Sequence, residues 1–279
     1  MVKVASIQFE PRLGNVQWNG ETTVSKIHES ADSGAKIIVM PELAACGYMF
    51  RDKEELKASS DDLSGTQRES TVMAWRSVAM KRQVLVIGGF AHRVHEEIFN
   101  ASIAILPDGK FYIYHKLHLW GAEKEIFSPG ENLLMPFETP YGKLAMLICY
   151  DIWFPETVRA LALNGAEVLC VPTNWVPMRH MTASELGLAP MLMQTNSLVN
   201  GIYSIAADRI GTERGQDFIG QSVIVGNDGL ILSGPASPNE SSIMYASINP
   251  ENIEKERNWS KWNNPINDRR RDILKLSID

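Results

Sequence analysis

Apolar residues in this chain come in short unbroken runs bounded by turn residues, alternating with stretches where they recur every three or four positions. The first kind reads as strands buried on both faces, the second as amphipathic helices. On that basis 2–9 is a strand, 20–33 a helix with Val24, Ile27 and Ala31 on one face and a stop at Gly34, and 36–40 a second strand. A helix over 66–81 leads to a strand over 84–90 that carries Gly88 and Gly89 near its end. Strands over 98–106 and 110–115, joined through Pro107, Asp108 and Gly109, make a hairpin. The apolar run over 143–148 stops at Cys149, and Pro155 suits the first turn of a helix continuing over 156–163. A strand over 168–171 follows, then a helical pattern over 182–200 that Gly187 and Pro190 should bend or delay. Four more strands are predicted over 202–207, 222–225, 230–233 and 243–248, the middle pair joined by Asn227, Asp228 and Gly229.

One supersecondary unit occurs twice. Residues 34–42 read Gly-Ala-Lys-Ile-Ile-Val-Met-Pro-Glu and residues 165–173 read Gly-Ala-Glu-Val-Leu-Cys-Val-Pro-Thr, each after a helix. A repeated unit implies that the copies stack or pair, so residues 1–249 are expected to form one layered domain. The remaining stretch, 250–279, is polar and rich in Asn and Arg, with Trp259 and Trp262 as its bulkiest apolar groups. Such a tail lacks the apolar surface for its own core, and its tryptophans are expected to dock on this chain or on a partner.

Composition narrows the function classes. A hydrophobic fraction of 44% and a charged fraction of 22% are ordinary for a globular protein with a large core. The net charge of -6 argues against nucleic acid or an anionic membrane as partner. Cys46, Cys149 and Cys170 show no C-x-x-C spacing, so neither a zinc cluster nor a disulfide framework is indicated. With no secretory leader pattern at the start and no long apolar span, a cytoplasmic location is expected.

Three polar residues fall where strands hand over to loops. Glu42 follows the second strand and Lys116 the hairpin, while Cys149 sits at a strand-to-helix elbow. Singly, each has a bland reading: a solvated carboxylate, a loop of mixed charge, a small core residue. At an elbow, however, neighbouring backbone N–H groups lower a thiol pKa and receive an oxyanion. Together the three supply thiol acyl transfer: a thiolate to attack, a carboxylate to move protons to and from the leaving amine, and an ammonium to hold the oxyanion.

The motifs Pro41-Glu42, Tyr114-His115-Lys116-Leu117-His118-Leu119 and Cys149-Tyr150-Asp151-Ile152-Trp153-Phe154-Pro155-Glu156, in that order, resemble those of the nitrilase superfamily of carbon–nitrogen hydrolases. The likeness extends from Ala5-Ser6-Ile7-Gln8 to Gly226-Asn227-Asp228-Gly229. It implies an α+β fold, a four-layer αββα sandwich with an extended C-terminal tail. It also implies Glu42 as general base and acid, Lys116 as oxyanion stabiliser, Cys149 as nucleophile, and the backbone N–H of Tyr150 completing the oxyanion hole. A second glutamate follows the lysine in many members. Glu123 has the better spacing and Glu125 competes with it. His118 is expected either to support Glu42 or Lys116 or to be purely structural. Cys46 and Cys170 match no nucleophile position, no metal or organic cofactor is implied, and a homodimer or larger homo-oligomer is expected, with the tail at the contact.

Specificity is read from the residues beside the nucleophile. Members acting on N-carbamoyl amino acids carry arginines where this chain has Ile152 and Trp153, and nitrile-hydrolysing members usually have Trp-Glu where it has Tyr150-Asp151. The expected substrate is therefore a small to medium neutral carboxamide, contacted by Tyr48, Trp120, Trp153 and Trp175. The alternative is an N-carbamoyl amine whose far ammonium rests on Trp120, Trp153, Trp175 and an acidic residue. Less favoured readings are a nitrilase, a scaffold that has lost the chemistry, and a glutaminase subunit feeding a synthetase. An N-carbamoyl amino acid would require another cation, such as Arg179 or Arg209, to reach the pocket.

Overall fold

The computed structural model describes residues 1–64, 70–178 and 187–273. Its first half runs β1 (Val2–Gln8), α1 (Val16–Asp32), β2 (Ile37–Val39), α2 (Lys53–Lys57), α3 (Thr71–Arg82), β3 (Leu85–Val94), β4 (Glu97–Ile105) and β5 (Phe111–His115). A short α4 (Glu123–Ile126) and β6 (Phe137–Thr139) precede β7 (Gly142–Met146), α5 (Pro155–Leu163), β8 (Val168–Pro172), α6 (Leu188–Asn200) and β9 (Tyr203–Ala207). The chain closes with β10 (Thr212–Glu213), β11 (Gln216–Asp217), β12 (Val223–Val225), β13 (Ile231–Ser233), β14 (Ser242–Ile248) and α7 (Ile253–Glu256).

Two six-stranded sheets result, ordered β14-β1-β2-β3-β4-β5 and β13-β12-β9-β8-β7-β6. In each the three central strands are parallel and the flanking ones antiparallel. The sequence echo is the reason: β2 and β8 occupy equivalent places, each preceded by a helix, so the halves of the domain repeat one another. Side chains alternate along the buried strands. Val4, Ile37, Val39, Leu85 and Ile87 meet Leu144, Met146, Val168 and Cys170 between the sheets. Ala5, Ile7, Ile38, Met40 and Val86 point the other way and pack with Trp75 and Val78 of α3 and Ile27 of α1. Helices α5 and α6 cover the second sheet, with Val158, Leu161 and Met193 buried. The expected four layers are present.

Element boundaries moved where caps decide them. Helix α1 begins four residues early because the Asn15 side chain accepts the Trp18 N–H. Helix α3 begins at Thr71 because Ser70 caps it by accepting the Met73 N–H; 65–69, in the predicted start of that helix, lie outside the described residues. Helix α6 likewise starts at Leu188 after Gly187, with 182–186 outside the described residues. Pro190 falls in its first turn, where a missing N–H costs nothing. Cys46 and Cys170 are fully buried, and burial pushes both thiols far up, so they are inert. The tail is held on its own chain at Ile253 and Arg257, the guanidinium donating to the carbonyls of Ala166 and Gly201. Trp259 and Trp262, by contrast, are 55% and 78% exposed. No described helix is long and apolar enough to cross a membrane.

Candidate active site

The C-terminal ends of the parallel strands deliver the polar residues. Beyond β2, Glu42 enters a buried turn whose next residue, Leu43, has φ +49°. Strand β3 comes so close that a Cβ on Gly89 would lie 2.2 Å from the Leu43 nitrogen and 2.5 Å from Glu42 Cα, so only glycine fits there. Beyond β5, the Lys116 backbone is pinned between Asn100 O and Gly130 N. Beyond β7, Cys149 takes φ +43° and opens a 3-10 turn, Cys149–Trp153, that runs into α5. A non-glycine residue in that region of backbone space is held by its surroundings, as at a nucleophile elbow.

Asp151 does the holding. Its Oδ2 accepts from the Ile148 N–H at 3.1 Å and the Tyr114 hydroxyl at 2.8 Å. Oδ1 accepts the His118 N–H at 3.0 Å and lies 2.8 Å from His118 Nδ1. Tyr114 and His118 stand two residues either side of Lys116, and Ile148 directly precedes Cys149. One buried carboxylate thus ties the lysine loop to the elbow. His118, expected either to support Glu42 or Lys116 or to be structural, takes the structural place: it contacts Asp151 and stacks on Phe154.

Within the site, Lys116 Nζ donates to Glu42 Oε1 at 2.7 Å and to Glu123 Oε1 at 2.8 Å, all three side chains being buried. Asn100 Nδ2 gives Glu42 Oε1 a second hydrogen bond at 2.7 Å. Oε2 of Glu42 has no partner among the described residues and is left for chemistry. Glu123 also accepts from the Tyr48 hydroxyl at 2.5 Å and the Trp120 N–H at 3.1 Å, whereas Glu125 is exposed. Glu123 is the second glutamate of this cluster.

Charge balance follows from that geometry. Burial alone lowers the Lys116 pKa, but Glu123 and Glu42 more than offset it, and the ammonium is held well above its ordinary value. Burial raises the Glu42 pKa against the pull of Lys116. Cys149 is pushed well up, by burial first and the Glu42 carboxylate second, with Lys116, the Thr173 hydroxyl and the Asn174 N–H acting the other way. The elbow was expected to depress this thiol; burial and the Glu42 carboxylate outweigh Lys116 and the two hydrogen-bond donors and reverse the sign. Cys149 therefore rests as a thiol and needs a base.

A pocket opens over Cys149, lined by Trp120, Tyr150, Trp153 and Trp175 together with Asn174 and Gln221. No charged side chain lines it among the described residues. Tyr48, expected to touch substrate, is instead buried behind Glu123. Ile152, expected at the pocket border, turns into the core. Arg209 is fully buried, paired with Glu213 at 2.5 Å and stacked on Phe218, and Arg179 lies outside the described residues. Asn174, Gln221 and Thr173 were not singled out from sequence, since nothing in their spacing separates them from ordinary loop residues. No group of His, Cys, Asp and Glu among the described residues is arranged to hold a metal ion.

These features define a cysteine-containing αββα hydrolase, and the whole-chain comparison agrees: the carbon–nitrogen hydrolase family model matches residues 3–258. The chain belongs to that family, within the nitrilase superfamily. It is 33% identical to a nitrilase of Pyrococcus abyssi over 89% of this chain and 90% of the relative. It is 29% identical to the N-carbamoylputrescine amidase of Solanum lycopersicum, covering 100% of this chain and 95% of that one. The crystal structure of a carbon–nitrogen hydrolase from Helicobacter pylori superposes with a TM-score of 0.83 at 26% identity, over 98% of this chain and 96% of that one.

Proposed function

We propose that this protein is an amidase that hydrolyses small to medium neutral carboxamides to a carboxylate and ammonia through a thioester on Cys149. The observation that carries the reading is the unpartnered Glu42 Oε2 in a cluster with Lys116 and Glu123, under a pocket of aromatic and neutral side chains. In the first half-reaction Cys149 Sγ bonds to the amide carbon while its proton passes to Glu42. Lys116 and the Tyr150 N–H stabilise the oxyanion, and Glu123 holds Lys116 in place. The C–N bond then breaks as Glu42 gives its proton to nitrogen, and ammonia leaves. In the second, water adds to the thioester carbon with Glu42 taking its proton, and the thiol departs as Glu42 returns one.

A substrate carboxylate entering beside Trp153 would lose water without gaining a cation, at a cost of several kcal/mol. A neutral acyl group gains about 25 cal/mol per Å² of apolar burial on the tryptophans. The N-carbamoyl amine remains the second reading, supported by the rings of Trp120, Trp153 and Trp175 in the pocket and by the relative of that activity. The test is kcat/KM for propionamide, a phenylalkyl amide, a carbamoylated diamine, an N-carbamoyl amino acid and a matching nitrile. The neutral amides should lead. A lead for the carbamoylated diamine installs the second reading, and a lead for the N-carbamoyl amino acid overturns the specificity argument.

A further inference from the structure

The repeat that pairs β2 with β8 also pairs the residues after them, so Thr173 stands in the second sheet where Glu42 stands in the first. Strands β7 and β8 run parallel in the register Leu144 with Val168 and Met146 with Cys170. Three residues further along each chain are Cys149 and Thr173, side by side at the same sheet edge. Thr173 is fully buried, and its backbone is fixed, N–H to Ala207 O at 2.9 Å and carbonyl to the Glu42 N–H at 3.4 Å. Its hydroxyl meets no nitrogen or oxygen partner among the described residues. A buried hydroxyl that finds no such partner is uncommon, because leaving it unmade costs free energy in the folded state. The adjoining Asn174 lines the pocket together with Cys149.

We propose that Thr173 is a further catalytic residue, its hydroxyl donating a hydrogen bond to Cys149 Sγ as negative charge develops there, alongside the Asn174 backbone N–H. The hydroxyl and that N–H both favour the thiolate, against the burial and the Glu42 charge that oppose it. Ground-state thiol and attacking thiolate differ in how strongly they accept a hydrogen bond, so the contact gains strength where the barrier lies. Proton and electron bookkeeping is unchanged: the thiol proton still goes to Glu42, and the threonine keeps its own.

The role rests on Cys149 as the nucleophile, and alkylation tests it without any assumption about substrate. Inactivation by iodoacetamide is followed as a function of concentration and pH in the wild type, Thr173→Val and Thr173→Ser, with Tm measured for each. In Thr173→Val the limiting rate of inactivation should fall on the order of ten-fold at neutral pH with the half-saturating concentration unchanged, as loss of one charge-assisted hydrogen bond implies. Its rise with pH should move to higher pH, because the thiolate has lost a donor, and Thr173→Ser should restore both. Tm should stay close to that of the wild type, since a methyl of the same shape replaces a hydroxyl with no nitrogen or oxygen partner among the described residues. If the valine variant does not fold, Thr173→Ala against Thr173→Ser reads the same contrast. A wild-type rate and pH profile in the valine or alanine variant overturns the proposal, as does a serine variant no better than valine. Wild-type Cys149 that resists alkylation while amide hydrolysis proceeds overturns both this role and the nucleophile assignment. Normal alkylation contrasts with no hydrolysis across the amide panel would remove only the substrate reading.

Discussion

Lys116 Nζ lies 2.7 Å from Glu42 Oε1, with both side chains fully buried. A pair this deep stabilises the fold weakly at best, since desolvation offsets the attraction. Both charges of the pair act on the Cys149 thiol, Glu42 raising its pKa and Lys116 lowering it.

Replacing Lys116 with alanine should lower kcat by on the order of 10²-fold or more, because the ammonium acts on charge that appears in the transition state. It also leaves Glu42 and Glu123 facing one another without their cation, which should cost about 3–5 kcal/mol unless one takes up a proton. Steady-state kinetics and urea unfolding read the two effects separately. A Lys116→Ala enzyme with normal kcat removes the lysine from the mechanism.

Gly89→Ala should nearly abolish activity although residue 89 touches no substrate. Its new methyl would sit 2.2 Å from the Leu43 nitrogen, so the turn carrying Glu42 has to move. A displacement of about 1 Å costs a rate on the order of 10²-fold. Crystal structure and kcat of the variant check this, and full activity contradicts the tight approach.

Glu123 and Glu125 should separate cleanly. Glu123→Gln weakens the hold on Lys116 and should reduce kcat, and Tyr48→Phe, which removes the 2.5 Å hydrogen bond to Glu123, should reduce it by about ten-fold or less. Glu125→Gln, on the exposed side of the same short helix, should leave kcat as it is. Equal losses at 123 and 125 would contradict the positions found for them.

The exposed Trp259 and Trp262 point to a covered face in solution. We expect a homodimer or larger assembly with the tail from 250 onward at the contact. Light scattering at micromolar concentration, with the full chain and with Trp259→Ser and Trp262→Ser together, checks it. A monomer for the wild type, or an assembly indifferent to both changes, counts against the tail.

The fold was legible because its buried parallel strands read as unbroken apolar runs and because 34–42 and 165–173 repeat one another. Short pieces such as α2, β6 and the β10–β11 pair escaped, being too brief to show any period. Glu42, Lys116 and Cys149 were legible through their places at strand ends. What sequence did not convey is who meets whom across the chain: that Asp151 rather than Lys116 engages His118, that Tyr48 backs Glu123 rather than the pocket, and that Thr173 neighbours the thiol. The sign of the Cys149 shift was also missed. It depends on burial and the Glu42 carboxylate outweighing Lys116 and two hydrogen-bond donors, and no linear motif carries that sum.

The central claim is that Cys149 forms a covalent acyl intermediate with the carbonyl carbon of a neutral amide. Rapid quenching of the enzyme during turnover of propionamide, followed by peptide mass spectrometry, tests it most directly. One acyl group is expected, on the peptide containing Cys149, and none in Cys149→Ala, which should also be inactive. Acyl transfer to any other residue, or amide hydrolysis that survives Cys149→Ala, would contradict it.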